Sequence, residues 1–237
     1  MPRSRRNELE RELAKAADPK RAKNLTWFFK TGKGEYGEGD RFIGLTVPTT
    51  RRIALRYRDL TLNDLAALLL SPIHEYRMAA LEILVAQFER AREPERTRFV
   101  EFYLQQTGSI NNWDLVDTSA PYILGEYLLT RPRQILDELA SSVNIWERRI
   151  AIVATLAFLK KGQVAYTFRI SERLLRDSHD LIHKATGWAL REAGKVDTPA
   201  LLRFLSRHYA QIPRTTLRYA IERFPREQRH AILCGKF

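Results

Sequence analysis

The stretch TLNDLAALLLSPIHEYRMAALEILVAQFERA, residues 61–91, decides the fold. It reads as helix, short turn, helix: apolar residues fall at helical spacing and Ser71-Pro72 interrupts them. Later stretches at 95–132, 132–162, 166–194 and 198–224 follow the same plan. The second helices of all these stretches open on Tyr76, Trp113, Trp146, Ile182 and Pro213, spaced by 37, 33, 36 and 31 residues. Strand-like alternation is nearly absent. Paired helices at this period indicate an all-α fold, an α-solenoid of degenerate HEAT-like repeats whose inner layer forms a concave, basic groove. No Pro/Gly/Ser linker divides the chain. The expectation is one domain over 1–237, with N-terminal helices and a Gly-rich loop over 1–60 and helical repeats over 61–237.

The composition narrows the function classes. Apolar residues make up 44% and charged residues 29%, a balance that can fill a core and is not that of a disordered chain. No apolar run reaches the roughly 20 residues of a membrane helix. The basic start MPRSRRNELERELAKA has no apolar stretch behind it, which reads against a secretory signal. A single cysteine, Cys234, allows neither an internal disulfide framework nor a Cys-based zinc site, and a cytoplasmic home is expected. The histidines at 74, 179, 183, 208 and 230 form no H-E-x-x-H, so neither a metal nor another cofactor is expected. Forty Lys and Arg against 28 Asp and Glu leave a net charge of +12. Such an excess suits a polyanion, because each cation set beside a phosphate releases condensed counterions. A basic surface kept for solubility is the other reading.

The N-terminal part differs from the repeats. ELERELAKAADPKRAKNLTWFFKT reads as two helices broken at Asp18-Pro19. GKGEYGEGD (32–40) is rich in glycine but lacks both the P-loop ending and the G-x-G-x-x-G pattern, which argues against a nucleotide cradle. VPTTRRIALRYRDL (47–60) starts a helix, with Pro48 near its first turn and Thr49 or Thr50 as cap. Its arginines Arg51, Arg52, Arg56 and Arg58 are either a clamp on a nucleic-acid backbone or a solvated face.

One helix start combines features that a core helix avoids. In INNWDLVDTSAPYILGEYL (110–128), Asn111 and Asn112 are good caps, and Leu115, Val116, Ser119 and Ile123 line a buried face. Yet Asp117 sits a full turn inside, four residues after Trp113 and on the same face. The corresponding positions of the other repeats carry no acid. The next repeats offer Arg149 in NIWERR and Trp188 in HKATGWALRE. In a solenoid, equivalent positions of successive repeats lie side by side, so Trp113, Asp117, Arg149 and Trp188 are expected on one patch. Each has a plainer reading. Trp188 follows Leu181 and Ala185 at core spacing, Trp146 aligns with the apolar face of its helix, and Arg149 either points to solvent or holds a phosphate. Asp117 is either a site acid or a structural acid bonded to a neighbouring repeat.

NNWDLVD, NIWERRIAI and KATGWALRE, with FFKTGKGEYGEGDRFIGLTVPTTRR before them, resemble the signature segments of the AlkD-type alkylpurine DNA glycosylases, in order and over residues 20 to 224. The resemblance implies a HEAT-like repeat enzyme that excises N3- and N7-alkylated purines from duplex DNA. It carries Asp117 over as the catalytic acid, Trp113 and Trp188 as aromatic walls, and Arg149 as a residue beside the DNA backbone. Phe28 stands where an aromatic faces the lesion; Arg148, Arg51 and Arg52 complete the expected DNA-binding set. The partner would be duplex DNA, with no membrane, the protein acting as a monomer. No lysine is evident beside Asp117 to form a Schiff base, so a monofunctional glycosylase without lyase activity is expected. The rival class is a non-catalytic HEAT-like scaffold that binds nucleic acid or acidic proteins through its basic groove. It explains charge and repeats equally well, but not why one repeat alone carries the Trp-Asp pair.

Overall fold

The structure, a computed structural model, describes residues 4–237. The described residues form helices and no strand; their extended pairing is a lone bridge between Arg41 and Ile73. The chain divides into two compact units, Met1–Ser119 and Ala120–Phe237.

The first unit holds α1 (Arg5–Lys15), α2 (Pro19–Phe28), α3 (Val47–Ala54), α4 (Leu62–Leu69), α5 (His74–Arg90), α6 (Glu95–Gln105) and α7 (Trp113–Asp117). α3 and α4 pack on α5, and α5 packs on α6 and α7. Local chemistry sets the ends. Asp18 caps α2, and Thr61 with Asp64 forms a capping box on α4, each acceptor satisfying a helix N–H that would otherwise be orphaned. The cap of α3 is Thr46, whose hydroxyl accepts from the N–H of Thr49. Thr49 and Thr50 lie inside the helix instead, because Pro48 occupies its first turn and the cap must precede that turn. Leu65, Leu68, Ile83, Leu84, Tyr103, Leu115 and Val116 are buried almost completely, which stabilises by about 1.5–3 kcal/mol for a typical large apolar side chain.

The second unit holds α8 (Gln134–Ala140), α9 (Ile145–Ala154), α10 (Leu156–Leu159), α11 (Ala165–Leu174), α12 (Asp180–Val196), α13 (Thr198–His208), α14 (Arg214–Ala220) and α15 (Arg226–Leu233). α8 packs on α9 and α11 on α12, the helix pairs of successive repeats. The second helices also lie against one another, α9 on α12 and α12 on α14, as in an α-solenoid. Leu190, Leu201, Leu205, Leu217 and Ile232 form the core beneath them. Trp146 is buried in this unit, on the apolar face of α9.

The helix expected to run on from Trp113 is shorter than the sequence pattern suggests. α7 stops at Asp117, and Pro121–Gly125 winds as a π-turn closed by the Gly125 N–H on the Ala120 carbonyl at 2.9 Å. Leu115, Val116, Ser119 and Ile123 are nonetheless all fully buried.

Candidate functional site

Three polar residues and a proline explain the brevity of α7. Asn112 is buried in extended conformation, and its Oδ1 accepts the N–H of Trp113 at 2.8 Å, starting the helix. Thr118 returns its hydroxyl to the Asp114 carbonyl at 2.7 Å, and Ser119 does the same to Leu115 at 2.6 Å. Such back-bonding competes with continuation of the helix, and Pro121 has no N–H to extend it. The Asp117 carboxylate therefore sits at the helix end, partly buried, on the face that carries Trp113.

Trp113 rests on an aromatic stack. Its ring lies over Phe29 with centroids 5.1 Å apart and planes 17° apart, and Phe29 lies over Phe42 at 4.9 Å. Phe28 meets Trp113 edge-on at 5.9 Å. Phe29 is buried, but Phe28 is 54% exposed and forms the solvent end of the stack. The expected aromatic is thus beside Trp113, held there by the turn after α2.

Beneath the stack lies a set of buried charges that spacing alone did not reveal. His74, at the start of α5, faces the Phe42 ring at 4.6 Å. Its Nε2 bonds Asp114 at 2.8 Å and its Nδ1 bonds Asp40 at 3.1 Å. Asp40 also accepts from Arg77 Nη2 at 2.5 Å and from Asn112 Nδ2 at 3.1 Å. Burial disfavours the charged imidazole, but the Asp114 carboxylate and the hydrogen bonds to Asp114 and Asp40 outweigh it, and the His74 pKa is pushed up to about 9. Burial likewise works against the Asp40 carboxylate, yet His74, Arg77 and Asn112 hold its pKa below the ordinary value. With His74 protonated, two carboxylates face two cations and the buried cluster is neutral. The cluster ties the Gly-rich loop, α5 and the first turn of α7 together, and so fixes where Trp113 and Asp117 stand. The hydrogen bonds that join its three segments span 34 to 72 residues of sequence, and the sole local signal is a second acid, Asp114, directly after Trp113.

A buried tyrosine completes this environment. Tyr103 shares a hydrogen bond with the Ser119 hydroxyl at 3.0 Å. Burial pushes its hydroxyl pKa well up; the Ser119 bond opposes the shift and the charge of Asp117 adds to it. Among the described residues, no group of three or more His, Cys, Asp and Glu side chains is placed to hold a metal ion.

Arg149 and Trp188 belong to the second unit. Arg149 is buried, and its Nη1 donates to the Leu181 carbonyl at 2.8 Å, joining α9 to α12. Arg148 donates Nε to Asp177 at 2.6 Å and Nη1 to the Ser142 and Val143 carbonyls. Trp188 is partly buried on α12. Its neighbour Gly187 lets α14 come close: a Cβ there would meet the Tyr219 Cβ at 2.5 Å and the Thr216 carbonyl oxygen at 2.7 Å. In the first unit, Arg51 grips the buried Glu82 with two hydrogen bonds, at 2.7 and 3.0 Å, and Arg56 pairs with Glu12. Arg52 is exposed.

Residues 9–224 match a family model described as DNA alkylation repair enzyme. A solved structure named as a predicted DNA alkylation repair enzyme from Enterococcus faecalis is 17% identical, with a TM-score of 0.70 over 89% of this chain and 97% of that one. At that identity the likeness shows a shared fold. No curated protein matches the sequence.

Proposed function

The chain belongs to the family of DNA alkylation repair enzymes, and from that premise we propose that it is a monofunctional DNA glycosylase acting on purines alkylated at N3 or N7 in duplex DNA. The observation that carries the reading is the carboxylate of Asp117 at the end of a five-residue helix, one turn from a tryptophan stacked on Phe29 and flanked by the exposed Phe28. Alkylation at N3 or N7 makes the purine a cation and a good leaving group, so no acid is required to protonate it. The C1′–N9 bond breaks with both electrons passing to the base, which leaves neutral. Positive charge spreads over C1′ and the ring oxygen of the sugar. A fixed carboxylate stabilises that charge and orients the water whose oxygen bonds C1′, its proton passing to the carboxylate or to solvent. Tryptophan faces attract cations by about 0.5–2 kcal/mol, which favours the damaged base over neutral ones.

In this reading Asp117, Trp113 and Trp188 form the catalytic set. Phe28 and Arg52 meet DNA from the surface. Arg51, Arg148 and Arg149, each bonded within the protein, are assigned to the DNA-binding set beside them. The +12 charge supports a polyanionic partner. The test is release of free methylated purine from a methylated duplex by the purified protein. Duplex binding without any release is the outcome expected of a non-catalytic scaffold, and it would end the glycosylase reading.

A further inference from the structure

The tip of α2 is built against its own stability. None of the ten residues of this helix is buried, and its last two, Trp27 and Phe28, are exposed, Trp27 by 83%. The turn that follows is a Schellman motif: the Lys30 N–H bonds the Trp27 carbonyl at 3.2 Å and the Thr31 N–H bonds the Thr26 carbonyl at 3.3 Å. The pivotal position of that motif needs a left-handed backbone and is normally glycine. Here it is Lys30, with φ of 51°, and no other non-glycine among the described residues has a positive φ. A residue without β-branching tolerates this conformation at a cost, and a conformational cost retained at an exposed position points to a use for the side chain.

Trp27 and Lys30 line a cleft of about 570 Å³ together with Lys23, Thr26, Phe28 and Glu35. Lys23 and Lys30 are exposed and enter no ion pair with the described residues. The one acid in the cleft, Glu35, is turned to the loop and accepts the Gly32 N–H at 2.9 Å. The C-terminal end of a helix offers nothing to an anion by itself, so these two ammonium groups must supply the attraction. Phe28 lines the cleft and also touches Trp113, so the cleft is continuous with the aromatic stack of the candidate site.

We propose that this cleft is a DNA-docking subsite: Trp27 packs on the sugar or base of a nucleotide flanking the damaged one, while Lys23 and Lys30 meet its phosphates. An aromatic face beside paired lysines is the chemistry that recognises a nucleotide strand without reading its sequence. The assignment to a flanking nucleotide rests on the glycosylase reading; the assignment to DNA does not.

The test compares the parent with Lys30→Gly and Trp27→Ala, by binding of a short undamaged duplex across a salt series, thermal melting, and base release from a methylated duplex. Glycine takes the left-handed conformation freely, so Lys30→Gly should melt at or above the parent temperature while binding about tenfold more weakly, with the log–log salt slope shallower by about one phosphate contact. Trp27→Ala should weaken binding by about tenfold with the parent's slope, since it removes stacking and not charge. Parent-like affinity and slope in both variants would overturn the proposal, and base release by the parent would leave the glycosylase reading standing. Weakened variants of a parent that binds but releases no base would support the DNA subsite and end that reading. A parent that does not bind duplex at all would overturn both.

Discussion

Replacing His74 by Gln tests whether the buried cluster under Trp113 works as a charge pair or as a set of neutral hydrogen bonds. In the native protein the imidazole bridges Asp40 and Asp114, with Arg77 balancing the remaining charge. The His74 pKa is about 9 in the fold against an ordinary 6.5. A pKa raised on folding contributes stability that is fully present below the unfolded value and is lost as pH rises through the folded one. At 1.36 kcal/mol per unit, that difference corresponds to at most about 3 kcal/mol, present at pH 6 and gone by about pH 10. His74→Gln leaves the cluster one positive charge short and Asp114 without a cation. At pH 6 it should therefore unfold about 3–5 kcal/mol more easily than the parent, as expected when one partner of a buried pair is removed. The gap should shrink by up to about 3 kcal/mol by pH 10, because the parent loses its own charge there. Urea unfolding followed by circular dichroism at pH 6, 7, 8, 9 and 10 measures it. A gap that stays constant across the series would mean that His74 is neutral in the native state, and the charge argument would fail. The Asp40 contribution lies in a separate window: its depressed pKa gives stability that is lost only as pH falls through that lowered value.

Two further substitutions probe what holds the site. The Glu75 carboxylate is buried and accepts the N–H groups of Ile43, Gly44 and Leu45 at 2.8 to 3.2 Å; Glu75→Ala orphans these donors and should cost at least about 3 kcal/mol in urea unfolding, whereas a loss below 1 kcal/mol would show that the loop is held otherwise. Gly187→Ala places a methyl group 2.5 Å from the Tyr219 Cβ, so α14 must move. It should destabilise by about 1–3 kcal/mol although alanine is the better helix former, and a rise in melting temperature would refute the close-packing account.

The helix pairs were legible in the sequence because their signals are local. Tyr76, Trp113, Trp146, Ile182 and Pro213 each fall within two residues of a true helix start, since apolar spacing and turn residues act over one or two turns. Asp18-Pro19 broke the first two helices as expected, with the aspartate as cap. The length of α7 was not legible. It depends on hydroxyls of Thr118 and Ser119 that can face solvent or the backbone, and on Pro121, whose effect can be a stop, a kink or a π-turn. The proposed site acid, Asp117, and its tryptophan announced themselves by an i,i+4 pair in what read as a core helix. The cluster of Asp40, His74, Arg77, Asn112 and Asp114 did not, because Asp40 comes from a Gly-rich loop far away in sequence, and no periodicity records that contact.

The measurement that bears most directly on the central claim is release of free 3-methyladenine or 7-methylguanine from a methylated duplex, by parent and by Asp117→Asn side by side. The expected result is release by the parent and a rate lower by on the order of 100-fold in the variant, equivalent to about 3 kcal/mol of transition-state stabilisation, with duplex binding little changed. Equal release by both proteins would contradict the role given to Asp117, and release by neither, with binding intact in both, would contradict the glycosylase itself.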